Sequence, residues 1–296
     1  GSIRIPASMC GVVGFKPPFG RNPDTPPFNL DQYNHIGPMA RTVADCALLQ
    51  NVMSGPHPED IATVRPKLRI PAELGDIRGW RIALCLNPAE YDIEPDVTAN
   101  TLKAAAVFRS LGATVEEVDL GWTRDDVARA SQAHFGSIFA PSVAAYAKKH
   151  RKLMCDYTLQ FAELTKTTRK GDFVEGLMIE AKLYKSLGAV LQKYRVLLCP
   201  TLPLPATKAG ESYVKRKLRI NGKPQEGIDS WLMTICFNIA SRCPVMSVPS
   251  GLASNGVPTG LSIVGRTFDD VSVFRAAAAF ERADPWYTKA ARRPKL

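Results

Sequence analysis

Glycine and proline crowd the start of this chain: Gly1, Pro6, Gly11, Gly14, Pro17, Pro18 and Gly20 punctuate the first 21 residues. That spacing works against any long regular element, because proline removes a backbone donor and glycine carries a large entropic cost on ordering. It favours close contact of backbone with backbone, so the segment must be laid directly on a packed frame. Ser2 sits beside Gly1 within it. A serine that attacks a carbonyl needs a small neighbour, so that the substrate can approach, and N–H donors aimed at the developing oxyanion. Ile3 and Ile5 alternate with Arg4, and Pro6 ends the run, which predicts a short strand or the exit of a turn.

The rest of the chain must supply the frame. Its 296 residues leave room for one large domain or two average ones. Apolar residues make up 45% and charged residues 22%, the balance of a globular chain with a sizeable core. The longest apolar runs, at 104–108 and 276–280, are too short to cross a bilayer, and no secretory apolar segment opens the sequence. Cysteines at 10, 46, 85, 155, 199, 236 and 243 form no Cys-x-x-Cys pair, and their odd number predicts reduced, buried thiols in a cytoplasmic setting. His35, His57, His134 and His150 have no neighbouring ligands at metal spacing, so neither a metal nor a cofactor is expected. Each reads as a surface or hydrogen-bonding residue. A Ser-His-Asp arrangement stays open, although nothing in the sequence brings a histidine to Ser2. A formal charge of +10 raises nucleic acid as a partner. The basic residues are dispersed and not interleaved with aromatics, so solvated faces are the better account.

Periodicity and punctuation set the elements. Residues 22–35, rich in Pro, Asn and Asp, predict a loop at the surface or at a cleft rim. A short helix is expected over 42–53, with Thr42 as N-cap and Val43, Cys46, Ala47, Gln50 and Met53 at helical spacing. A strand at 81–86, a helix at 95–111 stopped by Gly112 and a strand at 114–118 compose a βαβ unit. Residues 123–194 read as mainly helical, with breaks near Lys152 and Gly171. A strand at 195–199, a helix at 229–239, buried strands at 245–248 and 261–264, and an amphipathic helix at 270–282 led by Asp270 complete the order. The expected fold class is α/β, with a mixed, largely parallel central sheet covered by helices. Residues 1–296 read as a single domain with a helical region at about 122–194. Phe135, Phe139 and Tyr146 stand there at helical spacing, suited to line an acyl pocket or, more commonly, to pack a core.

The stretch from Gly1-Ser2-Ile3-Arg4 through Gly11-Val12-Val13-Gly14-Phe15-Lys16-Pro17 to Gly20-Arg21 resembles the second half of the amidase signature. A Gly-Ser dipeptide is also a common cloning remnant, but a remnant would not carry the likeness unbroken to Arg21. Further blocks resemble the same family: Leu30-Asp31-Gln32 with Gly37-Pro38-Met39-Ala40-Arg41-Thr42-Val43-Ala44-Asp45, then Leu197-Leu198-Cys199-Pro200-Thr201. So do Phe237-Asn238, Pro249-Ser250-Gly251, Gly256-Val257-Pro258-Thr259-Gly260-Leu261 and Gly265-Arg266. Residues 122–194 are matched least, as expected where specificity varies.

The resemblance implies the amidase signature fold and a Ser-cisSer-Lys amide hydrolase. In it Ser2 is the nucleophile, and the backbone N–H groups of Gly1 and Ser2 hold the oxyanion. The family's lysine and bridging serine lie upstream of this element and have no counterpart here. The expectation is therefore a C-terminal portion that begins at the nucleophile motif, with a missing N-terminal part carrying both groups, and no activity from these residues alone. Lys16 is tempting as the base, but the family's lysine at that position is not the catalytic one. Arg4 binds a substrate carboxylate or braces the loop through a buried ion pair. Asn238 hydrogen-bonds near the site or satisfies core backbone. The implied partner is a small-molecule amide, and a homodimer is open. The alternatives are the glutamine-amidase subunit of a tRNA-dependent amidotransferase, a catalytically incomplete fragment acting as a binding module, and an N-terminal-nucleophile hydrolase. The last is poor, because the first residue is Gly1.

Overall fold

The computed structural model describes residues 3–214, 216–226 and 230–288. Its first element is a helix, α1 (Arg4–Cys10), where the alternation of Ile3, Arg4 and Ile5 predicts a strand or turn exit. Pro6 falls at the third helical position, inside the first turn, where an N–H has no intrahelical partner to lose. Gly11 then closes the helix in the left-handed region at φ 67°. Strands β1 (Val13–Lys16) and β2 (Met39–Ala40) follow, with the expected loop between them. In α2 (Val43–Met53) the Thr42 hydroxyl accepts a hydrogen bond from the Asp45 N–H, the cap the sequence predicts. The βαβ unit is present as β3 (Arg81–Leu84), α3 (Pro95–Ser110) and β4 (Thr114–Glu117).

The helical stretch resolves into α4 (Arg124–His134), α5 (Ala140–His150), α6 (Asp156–Thr167) and α7 (Asp172–Lys193). A π-helical turn, Phe135–Phe139, joins α4 to α5. Strand β5 (Val196–Pro200) precedes a two-stranded ribbon of β6 (Arg219–Ile220) and β7 (Lys223–Pro224). The helix expected over 229–239 begins at a position outside the described residues. Its described part is a 3-10 turn, Met233–Ile235, running into the single turn of α8 (Cys236–Ile239). Strands β8 (Val245–Leu252) and β9 (Pro258–Gly265) are longer than their apolar cores, and α9 (Asp270–Ala283) closes the order.

Seven strands form one sheet in the order β2-β1-β8-β9-β5-β3-β4. It is mixed and helix-covered, as expected. Parallel ladders flank β3, which pairs with β4 and β5. Antiparallel ladders join β1 to β2 and β8, and β9 to β8 and β5. The short link between β8 and β9 is a hairpin, and a hairpin cannot return a strand in parallel. Strand β5 shows why its sequence is uninterruptedly apolar: Val196 and Leu198 enter one core while Leu197 and Cys199 enter the other. The first core holds Phe15, Phe108, Phe274 and Phe280 against α2, α3 and α9. The second packs Trp122, Leu183, Leu187 and Leu191 against the opposite face.

Helix α1 lies over β1, β8 and β9. Two glycines set how near it comes. A Cβ on Gly14 would stand 2.6 Å from the Ala7 Cβ, and one on Gly260 only 2.5 Å from the Ser8 Oγ. The glycine-rich opening is thus laid on the sheet backbone to backbone, as its composition requires. All seven cysteines are free thiols, but Cys10 and Cys155 are exposed, so burial holds for five of them.

Candidate active site

Gly1 and Ser2, the expected oxyanion and nucleophile positions, lie outside the described residues, and the described part of the site begins at Ile3. Ile3 and Ile5 wall a cavity of about 560 Å³. Three other segments complete it: the loop between β1 and β2 through Phe28, Asp31 and Tyr33, the helical stretch, and the turn before α8 through Leu232 and Ile235. The helical wall is aromatic. Phe135 and Phe139 each stand edge-on to Phe161, with ring centroids 5.5 and 5.6 Å apart, and Phe28 lies 5.8 Å from Phe139. Tyr146, expected to share that face, is instead 68% exposed beside His150. Seven residues past Phe139 places it about 10 Å further along the helix axis, beyond the cavity.

Arg4 is buried to 1% exposure. Its Nη2 donates to the Thr234 carbonyl at 2.9 Å and to Asn238 Oδ1 at 2.6 Å. The expected ion pair is absent: among the described residues its acceptors are neutral, and Nη1 has no partner. Burial accordingly lowers its pKa to about 10. Asn238 passes the contact on, because its Nδ2 donates to the Tyr33 carbonyl at 2.7 Å. It thereby meets both expectations at once, satisfying backbone while lining the cavity.

Lys16 is equally buried. Its Nζ donates to the carbonyls of Pro17 and Ser241 at 3.1 and 3.0 Å, and lies 3.4 Å from His35 Nε2. Burial and then the nearby Arg4 charge push its pKa well below the usual lysine range. This lysine ties the end of β1 to the turn before β8. His35 bridges the same turn to the loop, with Nε2 3.1 Å from the Ser241 carbonyl oxygen and Nδ1 3.0 Å from that of Tyr33. Burial first, and Lys16 second, depress its pKa well below the ordinary histidine value.

Sequence reasoning missed a buried cluster behind the cavity. His134 Nε2 stands 2.6 Å from Asp31 Oδ1, and the His134 ring stacks on Tyr33 at 3.6 Å between centroids. The Tyr33 hydroxyl donates to Glu180 Oε1 at 2.7 Å, and Gln32 Nε2 donates to Glu180 Oε2 at 2.9 Å. Burial raises the Glu180 pKa and, with the Glu180 charge, that of Tyr33, so the phenol stays protonated. A signal existed. His134 continues the inward stripe Val127, Ala130 and Ser131 of α4, and Glu180 shares a stripe with Leu183 and Leu187 of α7. A charged residue on an apolar stripe needs a partner.

Among the described residues there is no cluster of metal-ligating side chains, and no helix is long and apolar enough to cross a membrane. The segment that follows Ser2 is braced by glycines against a mixed, helix-covered sheet and walls an apolar cavity. The Amidase family profile matches residues 1–274, and the chain belongs to the amidase signature family. It is 29% identical over 300 residues to an acylamidase of Rhodococcus erythropolis, covering 98% of this chain and 61% of that protein. It is 32% identical over 325 residues to a glutamyl-tRNA(Gln) amidotransferase subunit from Geobacter metallireducens, covering 98% and 64%. The crystal structure of a bacterial aryl acylamidase of the amidase signature family superposes with a TM-score of 0.86 at 30% identity, over all of this chain and 63% of that one. The chain spans a little under two thirds of the length of these relatives.

Proposed function

We propose that the protein carrying this chain hydrolyses a carboxylic amide to acid and ammonia or amine through an acyl-enzyme on Ser2. One observation carries the reading: the signature block that opens at Ser2 runs straight into Ile3 and Ile5, which wall a cavity large enough for an organic acyl group. In this mechanism Ser2 Oγ bonds to the carbonyl carbon while the backbone N–H groups of Gly1 and Ser2 hold the oxyanion. A neutral lysine, acting through a bridging serine, takes the Ser2 proton and returns it to the departing nitrogen. Water then hydrolyses the ester by the reverse path. The lysine and bridging serine have no counterpart in these residues, so residues 1–296 alone are expected to turn over no amide. We take the chain as a single domain, with residues 122–194 forming the substrate-facing helical region. Its seven free thiols support a reducing, cytoplasmic setting.

A glutaminase role within a tRNA-dependent amidotransferase is the second reading, favoured by the 32% identity to such a subunit. The aromatic wall speaks against it, because the polar side chain of glutamine has little to gain there. A panel of amides offered to the full-length protein separates the two. Turnover without a partner protein, lost by at least about 10⁴-fold in Ser2→Ala, is expected. Activity on glutamine alone, dependent on a partner and tRNA, would reverse the assignment.

A further inference from the structure

A second cavity, of about 470 Å³, lies against the first. The two share Ile5, Tyr157, Phe161 and Leu232 as common walls. The outer cavity adds Val214, Leu218 and Trp231. Most of its polar walls are already engaged with one another. The Ser212 hydroxyl donates to Asp156, Lys208 pairs with Glu211 at 3.4 Å, and the Lys208 N–H donates to the Tyr213 hydroxyl at 2.6 Å. Gln225 Nε2 donates to Asp92 Oδ2 at 3.1 Å. What this cavity offers a ligand is therefore mainly apolar surface. Both cavities meet at Ile5, three residues past Ser2.

We propose that the outer cavity is the leaving-group subsite and that the substrate is a secondary amide with an apolar group on each side of the scissile C–N bond. This rests on the hydrolase reading and deepens it. The acyl group occupies the cavity walled by Phe135 and Phe139, and the N-substituent crosses Ile5 into the outer one. When Ser2 Oγ bonds to the carbonyl carbon, the C–N bond breaks. The nitrogen takes the relayed proton and departs through the outer cavity as a free primary amine. A primary amide releases ammonia, which makes no use of an apolar space of this size. Burial of the N-substituent there is favourable in proportion to its apolar area.

The test compares phenylacetamide with its N-phenyl derivative, which share one acyl group, on the full-length protein. The N-phenyl amide is expected to show a kcat/KM at least about tenfold higher. Filling the outer cavity with Leu218→Trp should lower the ratio of the two kcat/KM values by about tenfold, a loss of the size pocket misfits produce. Val214→Trp, which also lines this cavity, supplies an independent variant should the first fold poorly. Preference for the primary amide, or a ratio that neither variant moves, overturns the proposal. If neither amide is turned over, calorimetric binding of the N-phenyl amide to the Ser2→Ala protein decides. Weaker binding after Leu218→Trp supports the subsite and leaves only the hydrolase reading refuted, whereas unchanged binding refutes the subsite itself.

Discussion

The sheet with its two cores and the helical segment at 124–193 are held by different means. In the sheet, backbone ladders fix the strands, and buried side chains pack on both faces, with Phe108 and Phe280 stacked at 5.2 Å in the first core. It also holds a buried ion pair: Arg21 meets Asp270 through Nε at 3.2 Å and Nη2 at 3.0 Å. In the helical segment α5 and α6 bury few side chains, and Tyr146, Leu153 and Met178 stand exposed. That segment packs Leu183, Leu187 and Leu191 of α7 into the second core, and it is fastened to the site by the Asp31–His134–Tyr33–Glu180 cluster and by its aromatic face. The contrast separates a rigid platform for the nucleophile from a wall that can vary without unfolding the platform.

The comparison breaks if the two regions respond alike to losing a charged partner. Asp270→Ala leaves the Arg21 guanidinium buried and unpaired, at a cost of about 3–5 kcal/mol in urea unfolding. The equivalent change on the helices, Asp126→Ala, removes a partner of Lys182 whose side chain is 67% exposed, and should cost no more than about 1 kcal/mol. Equal costs would mean that the helical segment is as tightly built as the sheet.

Between these lies the cluster itself. Asp31→Ala strips His134 Nε2 and the Tyr33 N–H of their acceptor. About 1–3 kcal/mol is expected. The loss should be local: faster amide hydrogen exchange in α4 and α7, with protection in β8 and β9 unchanged. Uniform loss of protection would tie the helices to the sheet as one cooperative unit.

Much of the sheet was legible in the sequence, and the reason is local. Thr42 with Asp45 three residues on, the apolar run at 196–199, and Gly112 after α3 each specify an element within a few residues. The first helix was not legible, because Pro6 reads as a terminator unless its place in the first turn is known. The site was only half legible. Of the described residues, Arg4 and Asn238 were singled out by motif, and Phe135 and Phe139 by spacing. The Asp31–His134 contact spans 103 residues and Tyr33–Glu180 spans 147, and no periodicity reports a pairing across such distances. The absent Arg4 ion pair belongs to the same class, since its acceptors come from residues more than 200 positions away.

The smallest expected effect sharpens the role of His35 at the junction of the two regions. Its folded pKa lies below the unfolded value near 6.5, so the unfolded chain binds the extra proton. The stability linked to it is fully present above about pH 6.5 and is lost as pH falls toward the folded pKa. Replacing it removes that dependence. The stability of the native protein relative to His35→Gln should therefore rise between pH 5 and pH 7.5 in paired urea titrations, by up to about 1.4 kcal/mol for each pKa unit of displacement. A flat difference would mean that His35 is not held neutral at the loop.

The most direct test of the account is covalent. Full-length protein incubated with the N-phenyl amide, quenched in acid and mapped by peptide mass spectrometry should carry the phenylacetyl group on Ser2. The adduct should vanish in Ser2→Ala together with turnover. Hydrolysis that persists in Ser2→Ala, or an acyl group found on another residue, would contradict it.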